Sequence, residues 1–316
     1  IPGSTTPIET LADAFAAADS AGYPVVLRPV WALAPIASAR FEDEAELERG
    51  FDEYRRRAVD IPICLDHDLE RARVLDVLVA ADMHGDVVGI CEQESTLSQA
   101  GGGYIDESPS PDLGMRPDGE AIRTSLFDTA IRLAAELGTP GLVTVRFLLD
   151  ATARAYVSDV ALGLTAQHAI AEMVTGLDLV GLQLSIAAGE PMPDEVHAVE
   201  PSGHAFGAVV GLGARRDDLE AVREIRFPPA PQRQVRVEPA VVEGQIPTGP
   251  LVDAVCRITT YAPIRHQALL TLDRMLAELE VSPLEVNVPL LRSVIAHESY
   301  RAGQYDTSTA IHLSAS

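Results

Sequence analysis

Several groups of side chains in this 316-residue sequence are of types that do chemistry. Asp66-His67-Asp68 is a compact polar cluster that could hold a cation, and a loop or helix cap explains it equally well. Gly101-Gly102-Gly103 could bring backbone amides close to a phosphate. The acidic sequel, Tyr104 to Pro109, would repel one, which favours a surface loop. Arg55, Arg56 and Arg57 read as an anion site or as the solvated end of a helix. His168, at a predicted helix start, suits packing or capping better than the work of a base. Cys64, Cys91 and Cys256 lack metal-type spacing, and the first two sit in apolar contexts that predict buried thiols. No serine lies in a G-x-S-x-G elbow and no H-E-x-x-H pair occurs. These residues alone assemble no site.

Composition narrows the chemistry further. The chain carries 47 acidic and 24 basic residues, a net charge of −23, and every basic residue is arginine. Without lysine there is no P-loop ammonium and no Schiff base. The acidity argues against a nucleic-acid partner, because phosphate neutralisation needs a basic face. No apolar run approaches the ~20 residues of a membrane span, and no secretory signal is visible. Together with three unpaired-looking cysteines this predicts a cytoplasmic protein. Length predicts about two domains. The start, Ile-Pro-Gly-Ser, suggests a piece of a longer protein.

The elements that must position any site follow from periodicity. Residues 11–21 form an alanine-rich helix stopped by Gly22, followed by a short strand from Pro24 to Leu27. Residues 42–58 predict an exposed helix with acids first and arginines last, which complements its dipole. Runs 74–81 and 86–91 around His84-Gly85 predict a hairpin, as do 143–149 and 154–159. Ile122, Leu126, Ala130, Leu133 and Leu137 mark a helix over 120–137. Helix is expected again at 166–188 and 267–279, and strands at 204–212, 222–227, 234–242 and 254–261. Residues 190–203 predict a boundary between domains. The order of elements is that of an α+β chain.

Several stretches carry a family likeness. Ala171 to Pro191 resembles the helix after the active-site loop of biotin carboxylases, the ATP-grasp components of acetyl-CoA, propionyl-CoA and pyruvate carboxylases. Ala21 to Leu27 resembles the strand before that family's phosphate lid, and Asp106 to Pro111 its acidic E-E-x-P-x-P turn. Gly203-His204-Ala205 resembles the start of its C-terminal domain, and Thr309 to His312 its closing segment. The matches are collinear along the chain. The resemblance implies an ATP-grasp lid over 1–68, an ATP-grasp core over 69–202, and a biotin-carboxylase-type C-terminal domain over 203–316; the family's N-terminal subdomain has no counterpart.

Carried over position by position, the resemblance makes Arg28 (where the family has lysine), Leu148 on the adenine side, and Asp159 the nucleotide-binding residues. Asp159 is also the metal ligand, and Arg236, in Val235 to Glu238, resembles the arginine that stabilises the biotin enolate. Other family positions have lost their chemistry. The glycine lid corresponds to Arg28 to Ser38, with Trp31, Leu33 and Pro35. The bicarbonate segment corresponds to Leu97 to Gly103, without a cation. The catalytic loop corresponds to Asp159 to His168, with Ala161, Gly163, Thr165 and Gln167 at family asparagine, arginine, glutamine and glutamate positions. A second magnesium-binding glutamate falls near Arg146, where a cation would oppose Mg²⁺. ATP, magnesium and biotin are therefore implied by the family, while the lost positions argue against each.

The expectation is a non-catalytic relative, structural or regulatory, in an acyl-CoA or pyruvate carboxylase-type assembly. Alternatives are an active ATP-dependent carboxylase or ligase rebuilt on Arg28, Asp159 and Arg236, and a small-molecule or nucleotide-binding module. Implied partners are biotin carrier and carboxyltransferase subunits, other domains of a larger chain, or a second copy forming a homodimer.

Overall fold

The structure, a computed structural model, describes residues 3, 6–30, 38–69, 71–97, 105–212, 220–231, 233–247 and 254–309. The lid residues Trp31, Leu33 and Pro35, the Gly101–Gly103 run and the segment from Ala310 to His312 lie outside the described residues. The chain divides into two compact units, Ile1–Glu70 and Arg71–Ser316.

In the first unit, helix α1 (Leu11–Ala21) begins at a reciprocal capping box between Thr10 and Asp13 and ends at Gly22, whose φ of 81° suits a residue without Cβ. Helix α2 (Glu44–Arg57) is capped by Asp43, with Glu44 and Glu46 in its first turn and the three arginines in its last. Strands β1 (Val25–Pro29), β2 (Ala39–Phe41) and β3 (Ile63–His67) form an antiparallel sheet in the order β2-β1-β3. Val25, Leu27, Leu47, Phe51, Ile63 and Leu65 share its core.

The second unit is organised by one antiparallel sheet of eight strands. Its members are β4 (Arg73–Ala81), β5 (Val87–Glu94), β6 (Ile105–Ser108), β7 (Gly141–Leu149), β8 (Ala155–Leu162), β9 (His204–Gly211), β11 (Val235–Pro239) and β12 (Ala254–Ala262). The order across the sheet is β11-β12-β9-β6-β5-β4-β7-β8, and β10 (Glu224–Arg226) pairs separately with β13 (Glu280–Ser282). Both expected hairpins are present as β4–β5 and β7–β8. The segment 190–203 leads into β9, which pairs with β6, so one sheet holds strands from both sides of it.

Strand alternation decides which side chains meet which helix. Leu75, Val77 and Val79 of β4 face α4 (Gly119–Leu137), where they pack with Leu126, Ala130 and Ala134; α4 follows the short α3 (Pro111–Met115). Leu78 and Ala80 face the other way, into a core with Ile170, Val174, Leu182 and Ile186. These last residues belong to α5 (His168–Thr175) and α6 (Leu179–Ala187), not to the single helix expected over 166–188. The two helices are bent by 104°. Gly176, at φ 75°, ends α5, and the Asp178 side chain accepts the Gly181 N–H to start α6. After α7 (Asp194–His197) and β9, helices α8 (Arg265–Ala277), α9 (Val288–Ala296) and α10 (Glu298–Arg301) complete the fold. No single described helix is long and apolar enough to cross a membrane.

A buried charge network ties the last segment to the sheet. Glu94 and Glu107 are direct cross-strand partners and both are almost fully buried. Arg73 Nε donates to Glu94 at 3.1 Å, and Arg265 grips Glu107 through Nε and Nη2 at 2.6 and 2.8 Å. The same arginines donate to the backbone carbonyls of Tyr300, Arg301 and Gly303, while Tyr305 Oη donates to Glu107 at 2.6 Å. Burial pushes the Glu94 carboxyl up, against the opposing pull of Arg73.

Two stability outcomes follow from these contacts. Asp178→Ala removes the α6 cap and should cost about 1 kcal/mol, read as a lower urea midpoint at unchanged slope. Burial holds the His204 imidazole below its ordinary 6.5, with Arg265 adding to the effect and Glu107 opposing it. The folded state therefore disfavours His204 protonation, and stability is full above that value and falls as pH drops below it. Urea titrations at about pH 7 and about pH 5 should show a smaller acid loss in His204→Phe than in the wild type.

Candidate functional site

The site is built on one row of the second unit's sheet. Gln93 on β5, Asp76 on β4, Arg146 on β7 and Asp159 on β8 are successive cross-strand partners. Direct partners point to the same face, so four polar side chains line up across four strands. Arg146 donates to Asp76 through Nε at 2.7 Å and Nη2 at 2.8 Å, the fork geometry of a guanidinium on a carboxylate. Ser95 Oγ adds a third hydrogen bond to Asp76 at 2.9 Å. The hydrogen bonding to Asp76 raises the Arg146 pKa; burial opposes it, and the charges of Asp76, Asp106 and Asp159 reinforce it.

A cavity of about 10 Å³ is bounded by Asp76, Gln93, Thr144, Thr165 and His168. That is the space of about one water molecule, far below the ~300 Å³ at which drug-sized ligands begin to fit. Leu148, two residues beyond Arg146 on the same face of β7, is half-buried opposite Tyr156. Asp159 is exposed, and its carboxylate accepts the neighbouring Val160 N–H at 2.9 Å.

Arg236 stands on β11, the opposite edge strand of the sheet from β8. Its Nη1 pairs with Glu172 of α5 and its Nη2 with Glu238 at 2.8 Å. Burial lowers its affinity for the proton, but Glu172 and Glu238 more than offset this and the net shift is upward. His168 links the two regions: it borders the small cavity and its Nε2 lies 3.5 Å from Arg236 Nη2. The other ring nitrogen, Nδ1, lies 3.1 Å from the Thr165 carbonyl. Beside Arg236 opens a cavity of about 450 Å³ lined by Glu172, Met173, Val235 and Val237. Its size is that of a small-molecule site.

The structure thus places Leu148 and Asp159 on one face and joins Arg236 to it through His168. Arg28 belongs to the first unit, where it pairs with Asp66 across β1 and β3. There Asp68 pairs with Arg40, and His67 Nδ1 lies 2.7 Å from the Gly22 carbonyl, so the Asp66-His67-Asp68 cluster is engaged in ion pairs and strand contacts. Among the described residues no group of three or more His, Cys, Asp or Glu is placed to hold a metal ion. All three cysteines are buried. Asp76, Glu172 and Glu238 were not singled out by sequence. A lone carboxylate in the apolar run Val74–Ala81, and Glu172 four residues after His168 on one helix face, were the available signals.

Comparison with known proteins gives this fold its family. The carbamoyl-phosphate synthase L chain, ATP binding domain family matches residues 1–195. A biotin carboxylase of Halalkalibacterium halodurans is 28% identical over 98% of this chain and 68% of its own length. Biotin carboxylase 2 of Bacillus subtilis is 26% identical over 97% of the chain and 69% of its own length. Among solved structures, the biotin carboxylase domain of Hydrogenobacter thermophilus 2-oxoglutarate carboxylase superposes with a TM-score of 0.89 at 21% identity, covering 98% of this chain and 68% of that one. Campylobacter jejuni biotin carboxylase gives 0.87 at 23% identity, covering 99% and 70%. The chain belongs to the carbamoyl-phosphate synthase L chain ATP-binding family and is homologous to the biotin carboxylases of acyl-CoA and pyruvate carboxylases. Its α+β architecture is that of the biotin carboxylase ATP-grasp structures.

The Asp76–Arg146 pair lends itself to a direct measurement. Asp76→Ala leaves a largely buried guanidinium without its counter-ion and should destabilise the second unit by about 3 kcal/mol in chemical denaturation.

Proposed function

We propose that this chain is a biotin-carboxylase-fold protein without the metal-dependent ATP chemistry of its relatives, acting as a structural or regulatory part of an acyl-CoA or pyruvate carboxylase-type assembly. One observation carries the reading: the cross-strand partner of Asp159 is an arginine, and that arginine is committed to Asp76. The resemblance puts magnesium-binding carboxylates at the Asp159 and Arg146 positions. A guanidinium between two carboxylates supplies charge of the wrong sign for a metal ligand. The residues present therefore do not fit Mg²⁺.

Phosphoryl transfer rests on positioning and electrostatic stabilisation, with single contacts worth ~3–4 kcal/mol, so loss of several leaves little rate enhancement. Partners of this kind are suggested by relatives such as the methylcrotonoyl-CoA carboxylase alpha subunit of Dictyostelium discoideum and the pyruvate carboxylase of Rhizobium etli. A biotin carrier, a carboxyltransferase and a second copy of the chain are the partners to test.

A second reading is favoured by the cavity beside Arg236. Its volume and its apolar walls, Met173, Val235 and Val237, suit a bound small molecule even where no turnover occurs.

Calorimetric titration with ATP and Mg²⁺, with a phosphate-release assay in the presence of bicarbonate and biotin, decides between these roles. The expected result is neither heat of nucleotide binding at micromolar concentrations nor bicarbonate-dependent cleavage. Cleavage that disappears in Asp159→Asn and Arg236→Ala would establish an active enzyme instead.

A further inference from the structure

We infer that Arg146 is a built-in replacement for a divalent cation: its guanidinium pairs with Asp76 and faces Asp159, and the face takes no metal ion. The inference deepens the proposed loss of metal-dependent chemistry and rests on that reading for its functional meaning.

The physical requirement comes from Asp76. Its side chain is only 9% exposed, in the middle strands of a sheet whose other face is a packed apolar core. A carboxylate so placed must be paired or neutralised. Two kinds of cation could do this, a hard divalent ion with oxygen ligands or a guanidinium with a matching fork.

The structure has the second. Nε and Nη2 of Arg146 take one oxygen of Asp76 each, and Ser95 Oγ takes a further lone pair. With about four acceptor positions on an ionised carboxylate, three are used. Asp159 lies in register on the far side of Arg146, and the charge of Asp106 also acts on the guanidinium. The positive charge that these carboxylates share is therefore covalently part of β7. A metal ion approaching them would meet that charge, and would have to break a bidentate pair to reach Asp76.

Position within the sheet explains why the substitution is tolerated. Asp76 and Arg146 are direct partners on adjacent strands, so their backbones already hold the two side chains at pairing distance. The arrangement needs no loop to close and no ligand to arrive. It is the same electrostatic solution at any metal concentration.

The test measures Mn²⁺ binding by electron paramagnetic resonance on the whole chain, with circular dichroism to monitor folding. Wild type should leave the free-Mn²⁺ signal unchanged at this face. Arg146→Glu, which removes the guanidinium and adds an oxygen ligand between Asp76 and Asp159, should bind Mn²⁺ at least tenfold more tightly, and Asp159→Asn in that background should reverse the gain. A folded Arg146→Glu chain without Mn²⁺ affinity overturns the inference, and so does a wild-type Mn²⁺ site that Asp159→Asn abolishes. If Arg146→Glu folds only when Mn²⁺ is supplied, the inference stands, because the ion is then doing the work of the arginine. If it folds under neither condition, Arg146→Gln is decisive: Mn²⁺ should raise its melting temperature and leave that of wild type unchanged, and equal responses overturn the inference. Bicarbonate-dependent ATP cleavage by a wild type that binds no Mn²⁺ at this face would sink the proposed function while leaving the role of Arg146 intact.

Discussion

The second unit depends on two carboxylates that the sheet forces together. Glu94 and Glu107 face each other across β5 and β6, out of water, where like charges at such range repel strongly. Each is given its own guanidinium, Arg73 for Glu94 and Arg265 for Glu107. Those arginines also reach the backbone between Tyr300 and Gly303, and the Tyr305 ring lies against Arg73 at 4.5 Å. The closing helix α10 and the turn after it are therefore held on the sheet by the same arginines that pair with Glu94 and Glu107. Pairing of β6 with β9 then joins the two halves of the sheet, and α5 packs across β12, β9, β6 and β5.

The same principle recurs at the site in a milder form. Asp76 is paired by Arg146, Glu172 and Glu238 by Arg236, and Glu92 by Arg123. In a chain with no lysine, arginine supplies every side-chain cation that is permanently charged, and its planar fork suits partners fixed on neighbouring strands. On this face Arg146 and Arg236 are each engaged with carboxylates, while Asp159 stays exposed.

Much of the fold was legible because it is local. The β4–β5 hairpin announces itself through apolar runs around His84-Gly85, and α4 through apolar residues at three- and four-residue spacing with Gly138 in the left-handed conformation at its end. The break between α5 and α6 was missed although Gly176 and Asp178 punctuate it, because the flanking residues are apolar on both sides and read as one periodic run. At the site, the pairing Leu149–Ala155 to Phe147–Val157 would bring Ser158 opposite Arg146, and Asp159 takes that place only because the strand bulges there, which no sequence pattern announces. The Asp76–Arg146 pair spans 70 residues and the Glu172–Arg236 pair 64, and no local pattern encodes a contact of that separation. Alternation along β4 gives only the face on which Asp76 must lie.

Strand β8 ends the eight-stranded sheet, and among the described residues of that sheet nothing pairs with its outer side. It is a long edge strand, eight residues from Ala155 to Leu162, with Val157 and Leu162 exposed. Such an edge is a template on which another chain's strand can add. Asp159 is the one charged residue in it. Its carboxylate is a gatekeeper for that edge, since a second strand laid along β8 would have to bring it out of water or against a copy of itself.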